Sequence, residues 1–491
     1  MSQDTVFIQT VLLKCSGFVP FYHQERTRSS SSHNFPFIRT AIRMVQRSVL
    51  AALLVLSSGL IILELSADIW NVIYPAVETQ ASNEDSEIIR LMETIYNLFY
   101  LMRGNLVMWV FLYENRASAF LTLGNDILNM LKQLQLRNVF DSCRRGTIKK
   151  LQMMSVGLFI ATFLTHCAWL FWQWGLDGNG NFNTSGTSGT NGTNGTNGTN
   201  ATGYDCYHYL NVCITSAMYI GLWTPACDVL FILSQQVLIC SIVFAYALFM
   251  MLKMMETDIE KEYFLHKCCL EVPARDAGKG QKLREKVKMW TWLYTEVHQL
   301  GDRLNDFFGT MIFCSVALDI LTGLGSGANI LSSRTQQSSQ DMAFNVLNCA
   351  LFVCYATLFF LPFVLLHEKS TQVGNSLRKL LWQLKGHTAW KKININVTEQ
   401  ELENITMIAG QGNTLDALQN LAVLVRQNVL IVEAGGLLTF TRSSLTAIIT
   451  TVASVLVLSQ QLLERATVID ANHSKATVGN CSQLRWSDVI G

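Results

Sequence analysis

Near the carboxyl end of the chain, Ser454, Val455, Leu458, Gln461 and Leu462 stand three or four residues apart, the spacing that places side chains on one face of a helix. That face joins apolar bulk to a single amide. In lipid an isolated amide is costly unless it finds a partner or water. Two chemistries fit: an interhelical hydrogen bond, or a pore-facing amide ringed by hydrophobic side chains that gate by excluding water. Gln460 is adjacent to Gln461, and neighbours on a helix point about 100° apart, so only one of the two can face an axis squarely. A second group, Trp169, Phe171, Trp172 and Trp174, suits stacking on a sugar or a hydrophobic ligand. An aromatic belt at a membrane interface accounts for it more simply.

Other chemistry finds no support. The chain has no G-x-S-x-G, no H-E-x-x-H, no phosphate-binding G-x-x-x-x-G-K-[ST] and no paired Asp residues within one apolar run, so an enzyme is not expected. His266, Cys268 and Cys269 are too close and too few for a structural zinc site. Neither metal nor cofactor is expected. Arg103, Asp228 and Asp319 fall singly in apolar surroundings and read as packing or cavity groups rather than a proton relay.

The elements that must carry these residues are membrane spans. Half of the 491 residues are hydrophobic and 15% are charged, whereas a soluble domain carries about 25% charge. Four charge-free runs, Leu151 to Leu176, Val229 to Leu252, Met342 to Leu366 and Ser443 to Leu463, reach the roughly 20 helical residues that cross a hydrocarbon core. Three weaker blocks, at 48–66, 95–113 and 307–330, are bounded or interrupted by Glu64, Asp68, Arg103 and Asp319. The fold expected is an all-α membrane protein with seven transmembrane helices. Of the 37 Lys and Arg residues, six precede the first span, seven lie between the second and third, ten between the fourth and fifth, and seven between the sixth and seventh, with Arg442 set apart at the edge of the seventh. Short loops rich in these residues stay inside, so the amino terminus is expected to be cytoplasmic and the carboxyl terminus extracellular.

This gives a cytoplasmic segment at 1–47 and six helices over 48–366, with an outer loop at 177–208 and a cytoplasmic helical loop at 253–306. A cytoplasmic anchor loop at 367–442, a pore-lining helix at 443–463 and an extracellular tail at 464–491 follow. The outer loop holds sequons at Asn183, Asn191, Asn194, Asn197 and Asn200, the last four in a low-complexity tract, and these are expected to be glycosylated. A net charge of +1 leaves no basic excess for a nucleic-acid partner. Leu293, Val297, Leu300, Leu304 and Phe307 form a heptad-like seam before the fifth span, and Leu415, Leu418, Ala422, Val425 and Val429 form one before the seventh. Packing within the chain and association between subunits both fit these seams.

These features together resemble the insect gustatory receptors and their odorant-receptor relatives, a family of seven-helix chemoreceptor channels with an inside amino terminus. Leu13-Lys-Cys-Ser-Gly-Phe-Val-Pro-Phe21 is similar to the family's leucine, glycine and proline pattern before the first span. Leu304-Asn305-Asp306-Phe307-Phe308-Gly309 is similar to its entry into the fifth helix, and Gly435 to Leu445 to its entry into the last. The signature there, Thr-Tyr, five mostly apolar residues, then Gln and Phe or Leu, becomes Ser454-Val455 and Gln461-Leu462, without the Tyr. The resemblance implies a homo- or heterotetramer in the cell membrane, gated by a small-molecule tastant and weakly selective for cations. By carry-over it implies Gln461 at the filter, Leu458 and Leu462 at a hydrophobic gate, and a ligand pocket within each helical bundle, for which Trp169 and Trp172 are candidates. An odorant-type subunit is the nearest alternative. A G-protein-coupled receptor is disfavoured by the inside amino terminus.

Overall fold

The computed structural model describes residues 44–45, 48–49, 51–59, 61–63, 66, 99, 102–109, 114–136, 147–177, 206–209, 212–215, 224–268, 277–332, 339–394, 402–434, 438–454, 457 and 461. Helices dominate: α1 Glu114–Leu136, α2 Thr147–Asp177, α3 Thr224–Cys268, α4 Ala277–Ser332, α5 Ser339–Asn394 and α6 Leu402–Gln427. A last helix, α7, covers 442–454, and helical stretches at 51–59 and 102–109 lie earlier in the chain. Among the described residues four helices are long and apolar enough to cross a membrane: Thr147–Ala168, Val229–Lys267, Gln281–Gly327 and Asn345–Gly386. They coincide with the expected third to sixth spans. The first, second and seventh are helical where described, at 51–59, 102–109 and 442–454.

The described residues form the helical fold expected. Two antiparallel ribbons interrupt it, Cys206–Tyr209 (β1) with Val212–Thr215 (β2) and Glu433–Ala434 (β3) with Leu438–Thr439 (β4). The second has a local cause. After Asn428 donates the last helical bond to the Leu424 carbonyl at 2.9 Å, the run Val429-Leu430-Ile431-Val432 is rich in β-branched residues that prefer extended backbone.

Helices α3, α4 and α5 pack against one another, and α6 lies against α4 and α5. The 56 residues of α5 reach about 84 Å at 1.5 Å per residue, far more than a hydrocarbon core of about 30 Å. Pro362 lies inside this helix, as membrane helices tolerate when neighbours satisfy the freed carbonyl. The long extensions carry ion pairs that a hydrocarbon layer would not. Lys286 bridges Asp258 at 3.2 Å and Glu262 at 2.5 Å, Lys369 meets Glu256 at 2.5 Å, and Trp290 donates to Asp258 at 3.0 Å.

All five residues of the α4 seam are buried, from Leu293 to Phe307. On α6 the buried face is Thr414, Leu418, Leu421 and Val425, while Leu415, Ala422 and Val429 flank it half-buried. The seams therefore serve packing within the chain. Leu418→Ala should cost about 2–5 kcal/mol, read as a lower melting midpoint of the protein in detergent. An unchanged midpoint would mean that α6 is not docked this way.

Candidate pore helix and the parts that hold it

Helix α7 starts at a hydroxyl cap. Thr441 Oγ1 accepts from the Ser444 backbone N–H at 3.3 Å, and Leu445 N–H opens the helical ladder on the Thr441 carbonyl at 3.1 Å. The hydroxyls of Thr446, Thr450, Thr451 and Ser454 each donate to the carbonyl four residues earlier, at 2.8–3.0 Å. Such bonds let a polar side chain reside in lipid. A half-buried stripe of Thr441, Ser444, Leu445, Ile448 and Val452 faces the bundle, whereas Ala447, Thr451, Ser454, Val457 and Gln461 are exposed. Of the expected pore residues, Ser454 and Gln461 thus lie on the exposed side. Val455, Leu458 and Leu462 lie outside the described residues.

Between α6 and α7 the chain is pinned at several points. The Tyr294 hydroxyl donates to the Asn428 carbonyl at 2.6 Å and lies 3.0 Å from Ser370 Oγ, which itself accepts from Leu430 N–H at 3.1 Å. Asn305 Oδ1 accepts from Glu433 N–H at 2.8 Å, and Phe440 N–H donates to the Val432 carbonyl at 2.9 Å. The Phe440 ring is buried against Phe360 and Phe363, at 4.8 and 5.5 Å between centroids. Arg442 Nε reaches Glu368 at 2.9 Å, in a pair whose Arg is 79% exposed, so little stability comes from it. Two glycines of α4 admit this segment. A Cβ on Gly301 would meet Leu430 Cδ1 at 2.6 Å, and one on Gly309 would meet the Glu433 carbonyl oxygen at 2.5 Å. Asn305 and Gly309 stand in the motif that resembles the family's fifth-helix entry. Their contact with Glu433 gives the motif a physical role.

Inside the bundle, Arg103 and Asp319 correct the reading of isolated charges. Arg103 Nη1 lies 3.0 Å from Asp319 Oδ1, with the side chains 1% and 0% exposed. Arg103 Nε donates to Ser315 Oγ at 2.7 Å. With the Gln235 amide oriented by its hydrogen bonding, its oxygen accepts from Nη1 at 2.6 Å and Nη2 at 3.1 Å. Phe231, Tyr355 and Phe359 surround the guanidinium at 5.1–5.6 Å. The planar fork suits these divergent acceptors. Gly104 lets α3 approach, since a Cβ there would lie 3.1 Å from the Phe231 nitrogen. The group joins the stretch 102–109 to α3, α4 and α5. The side chain of Asp228 lies outside the described residues.

A cavity of about 220 Å³ opens between α4, α5 and α7. Its wall includes Val316, Gly323, Val353, Leu445, Ile449 and Ala453. Trp169 and Trp172 belong to the backbone of α2, and their side chains lie outside the described residues, as do Asn183, Asn191, Asn194, Asn197 and Asn200 altogether. Among the described residues no cluster of His, Cys, Asp and Glu is arranged to hold a metal ion.

No family model matches the chain, and no curated protein matches its sequence. Solved structures do. The insect olfactory receptor OR5 from Machilis hrabei in complex with eugenol superposes with a TM-score of 0.54 at 12% identity, over 92% of this chain and 96% of that one. A second structure of that receptor gives a TM-score of 0.48 at 14% identity over the same shares. Together with the four apolar helices, the first superposition identifies the architecture: the chain has the fold of an insect olfactory receptor, a multi-pass membrane receptor fold.

Proposed function

We propose that the chain is a subunit of a chemoreceptor channel of the cell membrane, opened by a small molecule and weakly selective for cations, with a gustatory role. The observation that carries this reading is the orientation of α7. Val452 faces the cavity, and nine residues on at 100° each, about half a turn away in net rotation, stands the exposed Gln461. Were the helix regular in between, Gln460 would lie about 80° from Val452 and point towards its own bundle's flank. The exposed Gln461 is the amide we assign to the side where copies in a tetramer would meet around an axis. Leu458 and Leu462 form the dry constriction beside it. The segment 428–441 links α6, in the 367–442 anchor, to the pore helix, so a ligand that favours one arrangement of the bundle shifts the population of the open state. The amino terminus is inside, the carboxyl terminus outside, and the outer loop glycosylated.

An odorant-type role is the second reading, favoured because the structure sharing this fold is an olfactory receptor solved with eugenol. Expression in an electrically silent cell, with sugars, bitter compounds and volatiles read as current, separates the two. In that assay Gln461→Glu and Gln461→Arg should change cation permeability in opposite senses, Leu462→Ser should raise ligand-free current, and the same changes at Gln460 should do much less. Should Gln460 carry the selectivity, the register is wrong by one residue. If neither does, with protein at the surface and ligand responses intact, α7 does not line the pore.

A further inference from the structure

We infer that the cavity between α4, α5 and α7 is a binding site for a small, uncharged, apolar molecule, placed so that its occupant bears directly on the pore helix. Among the described residues the lining is apolar but for Thr357, whose hydroxyl already donates to the Val353 carbonyl at 2.8 Å. A polar or charged guest would therefore lose its water without recovering hydrogen bonds. At about 220 Å³ the space exceeds the ~150 Å³ apolar cavity that takes up benzene, and it suits a guest of roughly nine to twelve non-hydrogen atoms. Gly323 supplies an independent observation. A glycine inside a helix costs about 1 kcal/mol relative to alanine and is usually explained by a close approach. Here a Cβ would meet nothing nearer than Val353 Cγ2 at 3.6 Å, an ordinary contact. The missing side chain is not needed for packing, and its effect is to leave the cavity open.

Leu445, Ile448 and Val452 give α7 its hold on the bundle across this space. An occupant would wedge or cement the contact and so bias the helix that carries Gln461. The binding claim stands alone, and the claim that binding alters current rests on the channel reading above. Cumene, with nine carbons and no polar atom, is the probe. In the purified full-length receptor, saturating cumene should raise the melting midpoint by a few degrees, as for any ligand that binds only the folded state. Gly323→Leu, which fills the space from α4, should abolish that shift, and Ala453→Leu should do so from α7. In cells, cumene should change the current of the unsubstituted receptor at least twofold and leave the filled variants unaffected. An equal midpoint shift in all three proteins would overturn the site. No shift in the unsubstituted receptor, with either substitution stabilising it, would mean a packing defect or a resident lipid chain and would also overturn it. A cumene shift that the filled variants lose, without any current, would uphold the site and defeat the channel reading instead.

Discussion

Arg103→Met should remove most of the expressed protein from the cell surface, and Asp319→Leu should do the same. Each leaves one buried charge without its partner, a defect that costs about 3–5 kcal/mol, a large share of the stability of an ordinary domain. The two side chains are 1% and 0% exposed, so water cannot take over the lost contact. Arg103 also holds Ser315 and Gln235, and its loss leaves those acceptors short as well. Arg103→Lys should rescue little, because an ammonium cannot address three divergent acceptors through one planar fork. The double change Arg103→Met with Asp319→Leu should recover much of the loss, since apolar replacements often match a buried pair in stability. Surface biotinylation and melting in detergent give the readouts. A double variant no better than the worse single one would show that the group does more than neutralise itself.

Gly309→Ala should uncouple the segment that leads into α7. The new Cβ would stand 2.5 Å from the Glu433 carbonyl oxygen and 2.9 Å from Asn305 Oδ1, and the first of these is backbone that cannot swing aside. The strand must retreat, taking with it the 2.8 Å bond from Glu433 N–H to Asn305. Overpacking of this kind costs about 1–3 kcal/mol. Helix propensity alone predicts the opposite sign, a gain of about 1 kcal/mol for alanine over glycine. Gly386, where an added Cβ would find nothing within 4 Å, is the matching control, and Gly386→Ala should be neutral or stabilising. Faster hydrogen exchange at 428–434 and a several-fold smaller ligand response per surface receptor are expected for Gly309→Ala alone. Equal behaviour of the two variants would mean that the strand does not press on α4.

Much of the architecture was legible because it is written locally. A block such as Val229 to Leu252 declares a span by its own composition, since lipid solvates apolar side chains wherever the rest of the chain goes. The seam from Leu293 to Phe307 was equally plain, because heptad spacing marks one face of one helix, and all five residues are buried. On α6 the same reasoning slipped: Leu421 rather than Ala422 is buried, since three-and-four spacing alone does not distinguish the face centre from its flank.

Other features had no local signature. Arg103 and Asp319 are 216 positions apart in the chain, and each alone looks like an interrupted span. Only the packing of 102–109 against α4 turns two expensive charges into one paired group. Tyr294, Asn305 and Ser370 belong to two helices, yet all bind the segment after α6. Spacing along one helix carries no record of a partner from elsewhere in the chain. The cavity is more distant still from the sequence, being a volume that α4, α5 and α7 fail to fill together. Composition and periodicity thus determined that this chain enters a membrane, where its longest helices run and which face of α4 is buried. Tertiary structure decided which charges meet, which glycines admit a neighbouring backbone and which stripe of the last helix packs on the bundle, because those depend on pairings between segments that no local period encodes.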